Sequence, residues 1–282
     1  MQDYLKLAQI IKNYFINAKD WVTLRELIHF LKCPPISKNN LLMATPYLEA
    51  VEDKDELPYV RIILKDGHSI YYPKDVNLDM FYMVVYQIYY SNHWHYYEVD
   101  GMEIQKDDVV IDCGAAEGLF TVLAADRCNK VYSIEPSPIW YKSLKMTLSP
   151  YRNVEIKKYA LSNKSGITYI SNNAIGASIS NLNLDDNSFC VNVRTLDEEF
   201  LNKDSNPISY IKADLEGSDF NMLCGAMETI YRFSPRLAIT TYHDKNHAIE
   251  MTKLIKKINP KYKIQWRGVA LKNCPVMLYA KI

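Results

Sequence analysis

The chain has 282 residues, 48% hydrophobic and 23% charged, which suffices for one large domain with a full core. Its 33 Lys and Arg balance 33 Asp and Glu, and a zero net charge argues against nucleic acid or an anionic membrane as the main partner. The six cysteines, at 33, 113, 128, 190, 224 and 274, show neither close pairs nor zinc-like spacing and read as reduced thiols of a cytoplasmic protein.

Residues 4–17 bring Leu5, Leu7, Ile10, Ile11, Tyr14 and Phe15 near helical spacing, without the uninterrupted apolar run of a signal peptide. A second helix is predicted from Val22 to Leu31, ended by Pro34-Pro35. Residues 59–72 form two strand-like runs around Asp66-Gly67, a hairpin signal. The most apolar run, Phe81 to Tyr90, is too short to span a bilayer. In His93-Trp94-His95 the alternation would put both imidazoles on one face of a strand, where they could bind a metal. With no third ligand nearby in sequence, an aromatic core or surface patch is the favoured reading. These features set residues 1–100 apart as an N-terminal helical and hairpin region, for covering the substrate or for oligomerisation.

From Asp107 the texture changes. Strands are predicted at 108–114, 130–135, 153–161, 208–215 and 236–243, with helices at 118–128, 137–148, 218–231 and 247–258 between or after them. The polar stretch 171–188 reads as a mobile loop or a hairpin connection. Two closing strands, 262–269 and 276–282, have no helix between them and should pair antiparallel. Strand–helix alternation means a mostly parallel sheet covered on both faces. The expected fold of 101–282 is therefore α/β and Rossmann-like with an antiparallel C-terminal strand pair, a shape similar to class I methyltransferases.

The sharpest motif runs from Asp112 through Gly114, Ala115, Ala116, Glu117 and Gly118, a thin turn between a buried strand and a helix. Gly114 and Gly118 let backbone approach a ligand closely, and free amides at the helix start would suit a carboxylate. The next strand ends in Glu135-Pro136, where an acid can accept both ribose hydroxyls. Three residues separate the two glycines, unlike the G-x-G-x-x-G of nicotinamide dinucleotide folds, so the spacing favours S-adenosylmethionine over NAD. An NAD-dependent oxidoreductase and a noncatalytic binding module remain the alternatives.

Ile211-Lys212-Ala213-Asp214-Leu215-Glu216-Gly217, continuing through Leu223 and Gly225-Ala226, resembles the K-x-D-x-E-G signature of the FkbM methyltransferase family. Val193-x-Thr195-Leu196-Asp197 and Ala160-Leu161 are similar to that family as well, and Ala213 departs from it where a larger aliphatic residue is usual. The resemblance covers about Asp107 to His243. It implies methyl transfer from S-adenosylmethionine to a hydroxyl of a sugar, glycan or other small natural product, with Ala160-Leu161 lining the adenine slot.

Methyl transfer from a sulfonium asks the enzyme mainly to align the acceptor and remove its proton. Asp214, Glu216, His243 and Asp244 fall at or just beyond strand ends. His243 is the leading general base and Asp214 the runner-up, which could instead orient the acceptor or the cofactor's amine. Glu216 and Asp219 could merely favour the start of the following helix, and Lys212 could merely pair with a neighbouring acid. Mg²⁺ between Asp214 and Asp244 is the less favoured possibility, since strand-end carboxylates are common without a metal. The expected partner is a small-molecule or carbohydrate acceptor, and a homo-oligomer is compatible with the sequence.

Overall fold

The computed structural model describes residues 2–32, 40–54, 56–171, 188–201 and 207–282. Helices α1 (Gln2–Ile16), α2 (Leu24–Lys32) and α3 (Asn40–Ala44) precede a meander of β1 (Leu48–Asp53), β2 (Tyr59–Leu64) and β3 (Ser69–Pro73), which leads into α4 (Leu78–Tyr89). The expected hairpin is β2–β3, paired from Tyr59↔Pro73 to Ile63↔Ser69. The apolar run at 81–90 belongs to α4, which starts where the Asn77 side chain accepts the Asp79 amide and buries Phe81 and Val85, four residues apart on one face. Pro34-Pro35 and residues 172–187 of the polar stretch lie outside the described residues.

The alternating half contains β4 (Val109–Cys113), α5 (Leu119–Ala125), β5 (Lys130–Ile134), α6 (Pro138–Leu148), β6 (Val154–Lys157), β7 (Ala160–Leu161), β8 (Gly166–Ser171) and β9 (Ser188–Arg194). It continues with α7 (Leu196–Phe200), β10 (Tyr210–Ala213), α8 (Asp219–Cys224), α9 (Met227–Phe233), β11 (Arg236–Thr240), α10 (His247–Ile258), β12 (Lys263–Arg267) and β13 (Met277–Lys281). Seven strands form one sheet in the order β12-β13-β11-β10-β4-β5-β6, parallel except for β13, which runs antiparallel to both neighbours. The strand order reverses between β4 and β10, and open α/β sheets bind ligands at the carboxyl ends of such a pair.

Both faces of the sheet are covered. Val109, Ile111, Ile211, Leu237 and Leu278 face Met222, Ile230 and Met251, while Val110, Val131, Tyr210 and Tyr279 face Phe120, Met102 and Tyr97. That is why β4 and β10 read as apolar runs with no alternation. The N-terminal region packs directly on this half. Ile62, Ile70 and Tyr72 share a core with Leu119 and Val122 of α5 and Leu144 of α6, and Asn13 Nδ2 donates to the carbonyls of Ala270 and Leu271. Among the described residues, no helix is long and apolar enough to cross a membrane.

Three expectations need correction. Residues 153–161 do not make one strand: β6 joins the large sheet, while β7 pairs with β9 in a separate three-stranded sheet of order β7-β9-β8. Tyr159, Ala160 and Leu161 are all buried, which one alternating strand with a solvent face cannot achieve. The helix at 218–231 breaks at Gly225, where a Cβ would lie 2.2 Å from the Ser162 carbonyl oxygen. Asp197 there accepts the amides of Glu228 and Thr229 and starts α9 anew. His93-Trp94-His95 lies in a turn rather than a strand, with the His95 amide donating to His93 Nδ1 and Trp94 stacked 3.6 Å from Phe30.

Candidate functional site

The turn after β4 is built for close approach. Gly114 has φ +78°, and a Cβ there would lie 2.2 Å from the Asp214 carbonyl oxygen. Gly118 has φ +91° and faces Leu144 Cδ1 at 2.6 Å in the same sense. Register places Lys212 beside Asp112, so their side chains share one face of the sheet. Lys212 Nζ reaches Asp112 Oδ1 at 2.9 Å and donates to the Gly114 carbonyl at 2.7 Å, while the Thr121 hydroxyl donates to Asp112 Oδ2. Burial works against the Lys212 ammonium, but Asp112 and Asp214 outweigh it and raise its pKa. Asp112 and Lys212 thus hold the turn from behind instead of facing a ligand.

The amides expected to be free are largely engaged. Those of Gly114 and Ala115 donate to the Ile134 carbonyl, and that of Gly118 donates to the Ala115 carbonyl. The Ala116 amide donates to Glu135 Oε2 at 2.9 Å and the Ser137 amide to Glu135 Oε1 at 2.8 Å. Each carboxylate oxygen of Glu135 retains a further lone pair for a ligand hydroxyl. Burial pushes the Glu135 carboxyl up to about 7 against the pull of those two amides, and burial does the same to Glu117.

A cavity of about 390 Å³ opens beside this turn. Gly114, Ala116, Glu117, Glu135 and Pro136 line it, as do Ala160, Leu161 and Asp214. Asp112, Ala115 and Gly118 do not line it. Opposite walls come from the N-terminal region, with Tyr72, Val76, Met80, Met83 and Gln87, and from the strand ends, with Glu216, Ser218 and Tyr242. A carboxylate with spare lone pairs and an apolar slot of Pro136, Ala160 and Leu161, with the Gly114 backbone in the same wall, fit the ribose and base of S-adenosylmethionine.

Asp214 ends β10 inside a ring of donors. Its Oδ1 lies 3.2 Å from His243 Nε2 and accepts the Thr240 hydroxyl at 3.2 Å, while Oδ2 accepts the Tyr97 hydroxyl at 3.4 Å and lies 3.5 Å from His95 Nε2. Burial alone would raise its pKa, but His243, His95 and Lys212 hold it well below the usual carboxylate range. His243, in turn, stands between two acids, with Nδ1 3.6 Å from Glu216 Oε2. Burial works against its imidazolium, but Asp214 outweighs it and its pKa is raised. His243 thus has Nε2 within hydrogen-bond distance of Asp214 and Nδ1 turned towards Glu216, and it does not line the cavity. Asp244 is exposed, with Oδ1 accepting the Asn246 amide, and among the described residues no group of three or more His, Cys, Asp or Glu side chains is placed to hold a metal.

Residues 112–263, just over half of the chain, match the model of the methyltransferase FkbM domain. The chain belongs to the FkbM methyltransferase domain family. A crystal structure of the methyltransferase FkbM from Methylobacillus flagellatus superposes with a TM-score of 0.51 at 20% identity, over 71% of this chain and 54% of that one. Fibrillarin from Aeropyrum pernix, with natively bound S-adenosyl-L-methionine, reaches 0.42 at 12% identity over 83% and 98%, too distant to bear on function. A ribosomal RNA small subunit methyltransferase A from Alkaliphilus metalliredigens is 43% identical over 58 residues, 21% of this chain and 20% of that protein. The chain thus spans about a fifth of that curated relative and about half of the first solved structure.

In this FkbM-family chain the K-x-D-x-E-G segment divides its labour. Lys212 supports the glycine turn, Asp214 gathers the histidines, Glu216 reaches the cavity and Gly217, at φ +101°, completes the bend. Asp219 accepts the amides of Leu215 and Gly217 and shapes that bend. His95 and Tyr97 both reach Asp214, a meeting that sequence reasoning did not foresee. The alternation at 93–95 was visible, but nothing local indicates that Tyr97, just beyond it, meets a strand end 117 residues away.

Proposed function

We propose that the protein transfers a methyl group from S-adenosylmethionine to a hydroxyl oxygen of a small-molecule or carbohydrate acceptor. The observation that carries this reading is the pairing, in one cavity, of the Glu135 carboxylate and its apolar slot with the ionised Asp214 cluster. Glu135 would hold the ribose hydroxyls, Pro136, Ala160 and Leu161 would flank the base, and the cavity wall at Gly114 would face the amino-acid end. Bound there, the cofactor supplies a methyl group already activated on sulfur. The protein's part is alignment and proton removal, and the cluster of Asp214, Glu216 and His243 stands at the strand ends where those tasks fall. Met80, Met83 and Gln87 from α4 support the expectation that the N-terminal region covers the acceptor. A zero net charge favours a small acceptor over a nucleic acid, and six cysteines without close pairs in sequence favour a cytoplasmic protein.

Calorimetry with S-adenosylmethionine, S-adenosylhomocysteine and NAD tests the reading. Binding of the first two without the third is expected. Binding of NAD instead would overturn it in favour of an oxidoreductase.

A further inference from the structure

Three acidic or basic side chains crowd the end of the cavity, and they differ in what they have left to offer. Asp214 faces His243 and Thr240 on one oxygen and Tyr97 and His95 on the other. His243 turns its two ring nitrogens towards Asp214 and Glu216 and stands behind the cavity wall. Glu216 lines the cavity, and His243 Nδ1 lies 3.6 Å from its Oε2, beyond hydrogen-bond distance. Its backbone has φ +51°, an uncommon conformation for a residue with a side chain, and one imposed by the bend that Asp219 ties.

We propose that Glu216 is the catalytic residue that takes the acceptor's proton, and that His243 and Asp214 position it. This rests on the methyl-transfer reading above. The acceptor oxygen passes its proton to the Glu216 carboxylate as it bonds to the methyl carbon, and the electron pair of the broken carbon–sulfur bond stays on sulfur, leaving a neutral thioether. With its side chain 40% exposed, Glu216 then returns the proton to solvent. Burial, followed by the Asp214 charge, moves the Glu216 carboxyl up to about 7, with Asp219 adding to the rise and His243 opposing it. Those are the charged groups that face it, and the result is a base matched to neutral pH.

Sinefungin tests this without a known acceptor, because it carries an ammonium where S-adenosylmethionine has its sulfonium methyl. A Glu216 carboxylate at the acceptor position should make sinefungin bind about tenfold more tightly than S-adenosylhomocysteine at pH 8, the scale of one charge-assisted hydrogen bond. That preference should shrink at pH 6, where Glu216 is protonated, and disappear in Glu216→Gln while S-adenosylhomocysteine still binds, which also reports an intact fold. A preference unchanged in Glu216→Gln, or absent from the unaltered protein, would overturn the assignment of Glu216. Failure of S-adenosylhomocysteine to bind the unaltered protein would instead reject the methyl-transfer reading on which it stands.

Discussion

Replacing Lys212 with Met separates the two jobs that a buried lysine can have. The ammonium and the Asp112 carboxylate are 2.9 Å apart with side chains 6% and 0% exposed, so water screens them little. Removing one partner of a buried pair leaves the other charge uncompensated and costs about 3–5 kcal/mol, whereas an exposed pair such as Arg61–Glu52 contributes about 0–1 kcal/mol. In Lys212→Met the Asp112 carboxylate would keep only the Thr121 hydroxyl, and the Gly114 carbonyl would lose its donor. At about 2.1 cal/mol/K per residue of unfolding entropy, about 4 kcal/mol lowers Tm by about 7 °C in a chain of this length. Urea and thermal unfolding would measure the loss, and calorimetry should show weakened cofactor binding because the turn is no longer held. Lys212→Met with Asp112→Leu removes both charges and should recover much of the stability without restoring affinity. A loss below about 1 kcal/mol in Lys212→Met would place the pair among ordinary surface contacts and refute its structural role.

Three further outcomes follow from the same geometry. Gly114→Ala puts a methyl group 2.2 Å from the Asp214 carbonyl at a positive φ, so thermal unfolding should move down and cofactor binding should be lost. An unchanged Kd would mean that the turn does not contact the ligand. Glu135→Ala should raise the Kd for S-adenosylmethionine by about tenfold or more, the worth of its ribose hydrogen bonds. Equal affinity in the variant would remove the ribose role. Glu117, Glu135 and Glu216 all have folded pKa values raised to about 7 by burial, so their stabilisation is complete below the ordinary carboxylate value and lost as pH rises through 7. His243, also raised, acts with the same sign, whereas Asp214, lowered, matters only at strongly acid pH. The Tm of the ligand-free protein should therefore fall between pH 5 and pH 8, and a flat or rising profile in a fluorimetric scan would contradict these assignments.

Local pattern determined most of the scaffold. The strands β4, β5, β10 and β11 are legible because a parallel strand buried on both faces needs an apolar run, and Val109 to Cys113 supplies one. The turn at 114–118 and the acid at 135 are legible because left-handed backbone at Gly114 and Gly118 demands glycine and because ligands gather at strand ends. The helix α4 could also have been read, since Phe81 and Val85 recur at helical spacing behind an Asn77 cap.

Other features depend on neighbours that sequence distance conceals. Gly225 breaks a helix because the Ser162 carbonyl lies against it, and residues 153–161 change sheets because three successive side chains find a core. His95 and Tyr97 reach Asp214 only because the N-terminal region folds under the ends of β10 and β11. Residue type alone made His243 the natural base, with an ordinary pKa near neutrality. Tertiary structure decided its surroundings, since Asp214 lies 3.2 Å from one of its nitrogens and Glu216 3.6 Å from the other, and burial brings Glu216 up to about 7. A sequence states which groups can ionise, but their solvation and their partners are set by elements far apart in the chain, and those set where each proton rests.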